Sequence, residues 1–311
     1  MIARFRLIAC LALVTLPLTG CFFRSHRVTK SVFVGTLKQA TLNELIQKVN
    51  DDAAKIKTLQ LTVDIDTSVG GSKTGKVTEY QEVRGYILLR KPGNLRMQGL
   101  LPVVHNKAFD MVSDGEHFRL SVPPKNRFVI GAQEVKNFSD KPFENLRPRQ
   151  IYNTLIVDAV DMQNDLAVLE AGTVLVLDAH HHEVAEPNYI MTIIHNGKDT
   201  PPWIERKIYF SREDLSVQKQ VLFDHEGNAA TVGTYSGYSS ESGFVLPNSI
   251  AIERPQEQYT LQLNVVKAQV NVRLTNEQFE LPRPEGTELQ IMDNVTPDAS
   301  ILGPPPKGDH R

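Results

Sequence analysis

Two cysteines in 311 residues, Cys10 and Cys21, are too few for a disulfide framework or for a multi-cysteine zinc or iron–sulfur site. An excess of charge of one sign is missing too, since 34 Lys+Arg face 36 Asp+Glu for a formal net charge of −2. That near-neutrality excludes a basic surface spread over the whole chain, so no nucleic-acid partner is expected. The signatures of common catalysts are also absent: there is no G-x-S-x-G elbow, H-E-x-x-H helix, Walker loop or G-x-G-x-x-G turn. Neither enzymatic activity nor a metal or other cofactor is expected. No run reaches the roughly 20 apolar residues of a membrane-spanning helix. What remains is ordinary globular composition, 41% hydrophobic, 23% charged and 7% aromatic. It is enough for a substantial core and unlike that of a largely disordered chain.

The first residues read as an address. Arg4 and Arg6 give a positive start, and Leu7 to Leu18 form a short apolar stretch of about a dozen residues. It ends in Leu18-Thr19-Gly20-Cys21, which looks like the lipobox of bacterial lipoproteins. In that family the signal is cut before the cysteine, which then carries a diacylglyceryl group on sulfur and an acyl group on its amine. Residues 1–20 are therefore expected as signal peptide and Cys21 as the lipidated residue, with no cofactor beyond those covalent acyl groups. Cleavage would also remove Cys10, leaving no partner for a disulfide. Two or three acyl chains at about 0.8 kcal/mol per buried CH₂ make a lasting anchor. Phe22 stands where such lipoproteins retained at the inner membrane tend to carry aspartate, which points to the outer membrane.

Residues 21–39 lack a sustained period and read as a tether. Thr41-Leu42-Asn43-Glu44 is a capping box, and Leu42, Leu45, Ile46, Val49, Ala53 and Ile56 continue at helical spacing to about Lys57. The period then switches to two, with Leu59, Leu61, Val63 and Ile65 alternating with polar residues as a half-buried strand requires. A second strand is expected from Lys76 to Arg90, with Gly85 as a bulge. Short strands and turns follow, a helix is expected from Pro148 to about Val160, and strands resume from Leu166 to Val272. Two helices and about a dozen closely spaced strands mark an antiparallel sandwich or barrel. From 284 to 311 the Pro- and Gly-rich composition reads as a flexible tail.

The densest titratable cluster is His180-His181-His182-Glu183, whose adjacent side chains point apart and read as a solvated loop or strand end. His105, His117, His195 and His225 are far apart and form no motif. Asp64 and Asp66 alternate with apolar residues and mark a solvent side. The run Gly99-Leu100-Leu101-Pro102-Val103-Val104 is more informative, because Pro102 hinders a central strand and leaves apolar residues at a connection. Such residues either cap the core or project outward.

This layout resembles the LolA/LolB-like fold of periplasmic lipoprotein carriers. The resemblance runs over about residues 40–283. It rests on the lipobox, tether and capped helix, then Gly85-Tyr86-Ile87-Leu88-Leu89-Arg90-Lys91-Pro92 leading into Leu95-Arg96-Met97. The apolar loop, Phe109-Asp110-Met111-Val112-Ser113-Asp114-Gly115 with Phe118, and a Pro-Pro turn follow. The resemblance implies a mainly β (α+β) fold, a strongly curved antiparallel half-barrel of about eleven or more strands with helices over the concave face. It also implies an apolar cavity that holds acyl chains of a lipid or lipoprotein. Cavity-wall candidates on the first strands are Leu61, Val63, Ile65, Ile87, Leu89, Leu95 and Met97. Phe109, Met111, Phe118 and Leu120 extend the set, and each of these positions fits ordinary core as well. By the same resemblance Leu100 and Leu101 would be a membrane-contact loop. The expected protein is a monomer facing the periplasm that exchanges cargo with a periplasmic carrier. The alternative is a non-catalytic adaptor or envelope-stress sensor that binds a protein partner.

Overall fold

A computed structural model describes residues 36–71, 73–104, 106–133, 146–177, 183–197, 200–241, 243–293 and 295–297. The expected signal peptide, Cys21, most of the tether, His180–His182 and the end of the tail lie outside the described residues. The chain divides into two compact units, Thr36–Gly172 with Pro187–Arg311 and a smaller one containing Thr173–Glu186. The larger unit contains both helices and nearly all of the sheet.

Helix α1, Leu42–Lys55, starts where the capping box places it. Glu44 donates its amide to Thr41 Oγ1 at 3.3 Å, and Thr41 donates its own to the Glu44 carboxylate at 2.7 Å. Both are donors that a helix start leaves without partners. Leu45, Ile46, Val49 and Ala53 form its buried stripe. Helix α2, Pro148–Leu155, has proline in its first turn, where no amide hydrogen is needed. It ends five residues before the expected Val160, because Ile156 is extended and residues 157–160 lie outside regular structure. Ile156 and Val160 have helical spacing but are buried in two different clusters.

The strands are β1 Thr58–Gly71, β2 Lys76–Glu79, β3 Val83–Arg90, β4 Asn94–Leu100, β5 Lys107–Ser113, β6 His117–Val122 and β7 Arg127–Ala132. After α2 come β8 Asp165–Leu177, β9 Glu183–His195, β10 Trp203–Ser211, β11 Val217–Phe223, β12 Ala229–Glu241, β13 Phe244–Arg254, β14 Tyr259–Val270 and β15 Glu288–Ile291. They make one large, open, curved sheet in the order β15-β7-β6-β5-β4-β3-β1-β14-β13-β12-β11-β10-β9-β8, with β2 extending the β1 hairpin. The order has a simple logic. The chain enters at the centre with β1 and meanders to β7, then crosses by α2 to the far edge at β8. From there it meanders back until β14 pairs antiparallel with β1. The last segment returns to the first edge, where β15 pairs parallel with β7.

Three sequence expectations change. The expected second strand is broken into β2 and β3, and Gly85 sits in an unbroken ladder opposite Val63 rather than in a bulge. A side chain there would meet the Ile65 Cδ1 atom at 2.3 Å, so glycine makes room for the neighbouring core residue. The two expected strands around Gly172 are the single β8, and the space above Gly172 is taken by Ile190. Residues from 284 onward are not wholly tail, since they supply β15.

The two faces of the sheet are closed differently. Under the helices lie two apolar clusters. One joins Ile151, Tyr152 and Ile156 to Leu61, Leu89, Met97, Ile252 and Leu263. The other joins Leu45, Ile46 and Val49 to Met191, Ile193, Ile208 and Phe210. On the opposite face of β5 and β7, Val112, Phe128 and Ile130 pack with Leu281 of the C-terminal segment. That segment is held across β4 and β5 by charge. Asp110, 1% exposed, accepts from Arg96 at 3.0 and 2.8 Å, from Gln98 at 2.8 Å and from Lys107 at 2.6 Å. Arg96 then donates to the Gln278 carbonyl at 2.9 Å. Burial pushes the Asp110 carboxyl up, but these donors outweigh it and hold it below the usual carboxylate range.

Candidate functional site

The space between the helices and the sheet is where a ligand could enter. A mainly apolar cavity of about 250 Å³ is bounded by Val49, Ala53 and Ile56 at the C-terminal half of α1, by Leu155 and Ile156, and by Tyr238 and Phe244 of the β12–β13 hairpin, with Lys48, Asp52 and Lys55 also in its lining. A smaller space of about 50 Å³ shares Leu155, Leu246 and Pro247 with it and reaches Leu59 and Leu61 of β1. On the other side of α1, a more polar cavity of about 540 Å³ lies among Asn50, Ala54, Lys91, Ser113, Arg149 and Tyr152. Pockets for small ligands usually span roughly 300–1,000 Å³. The apolar space is below that range, so a long chain could be fully accommodated there only if a wall moved.

The two helices differ as movable walls. Helix α2 is pinned from several sides. The Tyr235 hydroxyl donates to the Thr154 carbonyl at 2.8 Å, Gln220 donates to the Asn153 carbonyl at 2.7 Å, and the Tyr259 hydroxyl donates to Gln150 at 2.7 Å. Arg147, at its N-cap, pairs with Asp293 at 2.8 Å with both side chains buried. Burial pushes the Tyr152 phenol up to about 12 and raises that of Tyr235 further, so both stay neutral and Tyr235 keeps the proton it donates. Helix α1 is held mainly by its apolar stripe. Among the described residues its polar bonds to the rest of the fold come from its second half. Asn50 exchanges two hydrogen bonds with Val160 at 2.7 and 3.3 Å. Lys91 donates to the Ala53 carbonyl at 2.5 Å, and Asn271 to that of Lys55 at 2.8 Å. The chain leading into α1 is bonded as well, Lys38 donating its amide to the Arg212 carbonyl at 2.7 Å and Tyr189 its hydroxyl to Gln39 at 2.9 Å, so the first turns of α1 rest on the packing of Leu45 and Ile46 between two bonded ends.

The sequence-derived wall positions Leu61, Val63, Ile65, Ile87, Leu89, Leu95, Met97 and Met111 are all buried in the cluster under α2, with Phe109 and Leu120 packed against it. Leu61 alone among them borders an apolar space, the smaller one. Phe118 is buried apart from this cluster, with the Arg147 guanidinium 5.3 Å from its ring centre.

In the apolar loop, Leu100 pairs with Arg84 and Lys107, and Leu101 donates to the Asn106 carbonyl at 2.7 Å, so both leucines are half-buried at its base. The outward apolar surface belongs to Val103, 92% exposed, and Val104, 60% exposed. Val103 has φ of +68°, a left-handed conformation that a β-branched residue adopts only under constraint. Sequence reasoning missed Tyr235, Tyr238, Gln220 and the β12–β13 hairpin as parts of the site. The spacing of the two tyrosines gave no signal, since residues three apart on a strand face opposite ways unless the ladder skips a residue, as it does at Gly237.

No family model and no curated protein matches the chain. Solved structures with a similar fold include a LolA superfamily protein from Nitrosomonas europaea, at 13% identity and TM-score 0.46, covering 76% of this chain and 97% of that one. A DUF1329 family protein from Desulfovibrio piger is similar at 15% identity and TM-score 0.47, over 76% and 94% of the two chains. A domain described as an outer membrane lipoprotein-sorting protein from Vibrio parahaemolyticus is similar at 10% identity and TM-score 0.42, over 76% and 94%. The resemblance drawn from the sequence names the same superfamily as the first of these. At such identities the likeness is one of fold and extends to no residue's role.

Proposed function

We propose that this protein is a non-catalytic envelope lipoprotein, held at the outer membrane by acylated Cys21, that takes acyl chains of a lipid or lipoprotein between α1 and the sheet. The observation that carries this reading is the mainly apolar cavity between the second half of α1 and the β12–β13 hairpin, under a helix seated on the sheet chiefly by its apolar stripe. Each buried CH₂ contributes about 0.8 kcal/mol before ordering costs, enough for a long chain to replace the contacts that α1 would give up. Val103 and Val104 would touch the bilayer during transfer, with Leu100 and Leu101 supporting them. The reading is tested by native mass spectrometry of the chain beginning at Phe22, produced in a bacterial periplasm. A stoichiometric phospholipid or acylated peptide is expected. A clean unliganded mass that also refuses added lipid would overturn it.

A second reading has its own support. The cluster under α2 is filled by side chains at nearly every wall position that the resemblance suggested. A filled core suits an adaptor or sensor that binds a protein partner. Recovery of a stoichiometric protein partner with no lipid would select that reading.

A further inference from the structure

At the ends of β8, β9 and β10, away from the cavities, three side chains from neighbouring strands converge. Asp165 opens β8, His195 closes β9 and Glu205 lies near the start of β10. One donor atom from each lies within 4.8 Å of the other two. We infer that Asp165, His195 and Glu205 form a binding site for a divalent transition-metal ion, Zn²⁺ in the first instance.

The local chain geometry builds this convergence. Ile194 pairs with Ile204 and Ile193 with Arg206, so Glu205 is the extra residue of a β-bulge. A bulge puts two successive side chains on one side of a strand and re-aims the first of them. Trp203 pairs with His195, so Glu205, two residues on, keeps the His195 face, and the bulge brings Arg206 to the same side, where its guanidinium reaches the Asp158 and Ala159 carbonyls at 2.8 and 2.7 Å. Asp165 is 8% exposed and meets the His195 ring at 3.0 Å, and that ring is 35% exposed, leaving the cluster open to solvent on one side. Glu205 accepts no hydrogen bond from the described residues, so its oxygens have no such partner beside the His195 ring. The fixed cation beside it is Arg206, whose two terminal nitrogens are engaged by the two carbonyls. The cluster thus keeps an excess of negative charge.

The donor set suits the ion. An imidazole with two carboxylates is a borderline nitrogen–oxygen set, which zinc takes at about 2.0–2.2 Å with the ligand atoms about 3.4 Å apart in a tetrahedron. The present spacing needs only a small closure. Three protein ligands would leave at least one position for water. The ion would replace the proton between Asp165 and His195 and tie three strand ends beside Val160, the residue that anchors α1. The sequence hid the site because its members are 30 and ten residues apart and meet only through the pairing of their strands.

The chain's single tryptophan provides a reporter. Trp203 lies with its ring centre 6.1 Å from that of His195 and 4.4 Å from that of His225. The test is a zinc titration of the full chain at neutral pH, followed by equilibrium dialysis with metal analysis and by Trp203 emission. One ion per chain is expected, with the emission change saturating at the same ratio. His195→Ala and the isosteric Glu205→Gln should each weaken binding at least about 10-fold, while circular dichroism shows the sheet retained. Replacing His180, His181 and His182 together by alanine should leave the affinity unchanged. Absence of saturable binding would overturn the site. So would binding that survives His195→Ala and Glu205→Gln, or binding lost with the His180–His182 substitution instead.

Discussion

Helices α1 and α2 lie over the same face of one sheet, yet they are fastened by different physics. The shorter, α2, buries Ile151 and Tyr152 in the larger apolar cluster and is pinned by tyrosine, glutamine and arginine side chains from strands and loops around it. The longer, α1, has a well-formed cap and an apolar stripe, but its polar bonds to the fold begin only at Asn50. Directional bonds made in a buried setting fix one geometry, because a donor moved off its partner is left unsatisfied. Apolar contacts fix no direction and can be exchanged for contacts with a ligand of the same kind. A sheet closed by one helix of each type has a fixed wall and a yielding one. The cavity borders the second half of α1, from Lys48 to Lys55, and meets α2 only at Leu155.

The contrast can be broken most directly in the core. Ile151→Ala should cost about 4 kcal/mol, since the fixed wall has little freedom to collapse into the space left behind. It should appear as a lower denaturant midpoint for the whole domain. Leu45→Ala removes similar surface from α1 and should show instead as faster amide exchange confined to α1. An equal global loss from both would end the distinction.

A second test isolates the opposite face. Asp110→Asn should cost about 3 kcal/mol, because Arg96 and Lys107 lose their shared carboxylate. The folded value of Asp110 lies below its unfolded one, so its contribution is present at neutral pH. It is lost as pH falls through the unfolded carboxylate value, about 3.9, toward the folded one. The variant should therefore flatten the acid limb of the stability profile and leave helix amide protection unchanged.

Tyr235→Phe sharpens the account of α2 itself. It strips the Thr154 carbonyl of its donor and Gln220 of an acceptor, for about 2 kcal/mol, measured by thermal or denaturant melting. A loss near zero would mean that packing alone holds α2. The smallest effect should come from Thr41→Ala, about 1 kcal/mol of helix stability. Exchange at Leu42–Val49 should quicken while α2 amides keep their protection, and if the cavity under α1 takes acyl chains, lipid uptake should become faster. Uniform exchange along both helices would show that α1 does not move separately.

Much of the fold was legible because it is local. The capping box at Thr41 and Glu44 needs four consecutive residues, and the alternation of Leu59 to Ile65 needs only the pleat. Longer-range choices were hidden. Gly172 reads as a strand break until Ile190 is seen to occupy the space above it. Ile156 and Val160 read as one helical face, although each belongs to a different cluster. In the apolar loop the residue types pointed to surface contact, but which of them project depended on pairing. The ladder and the Leu101–Asn106 bond keep the leucines back and push Val103 and Val104 forward.

The sequence by itself determined the elements and their burial stripes, since propensity, capping and periodicity act over a few residues. Tertiary structure alone decided that β14 returns to β1, which helix is pinned, how much apolar space remains beneath α1, and that the ends of β8, β9 and β10 bring Asp165, His195 and Glu205 together. Those outcomes depend on side chains meeting across tens to hundreds of residues, where register and packing, not local preference, set the geometry.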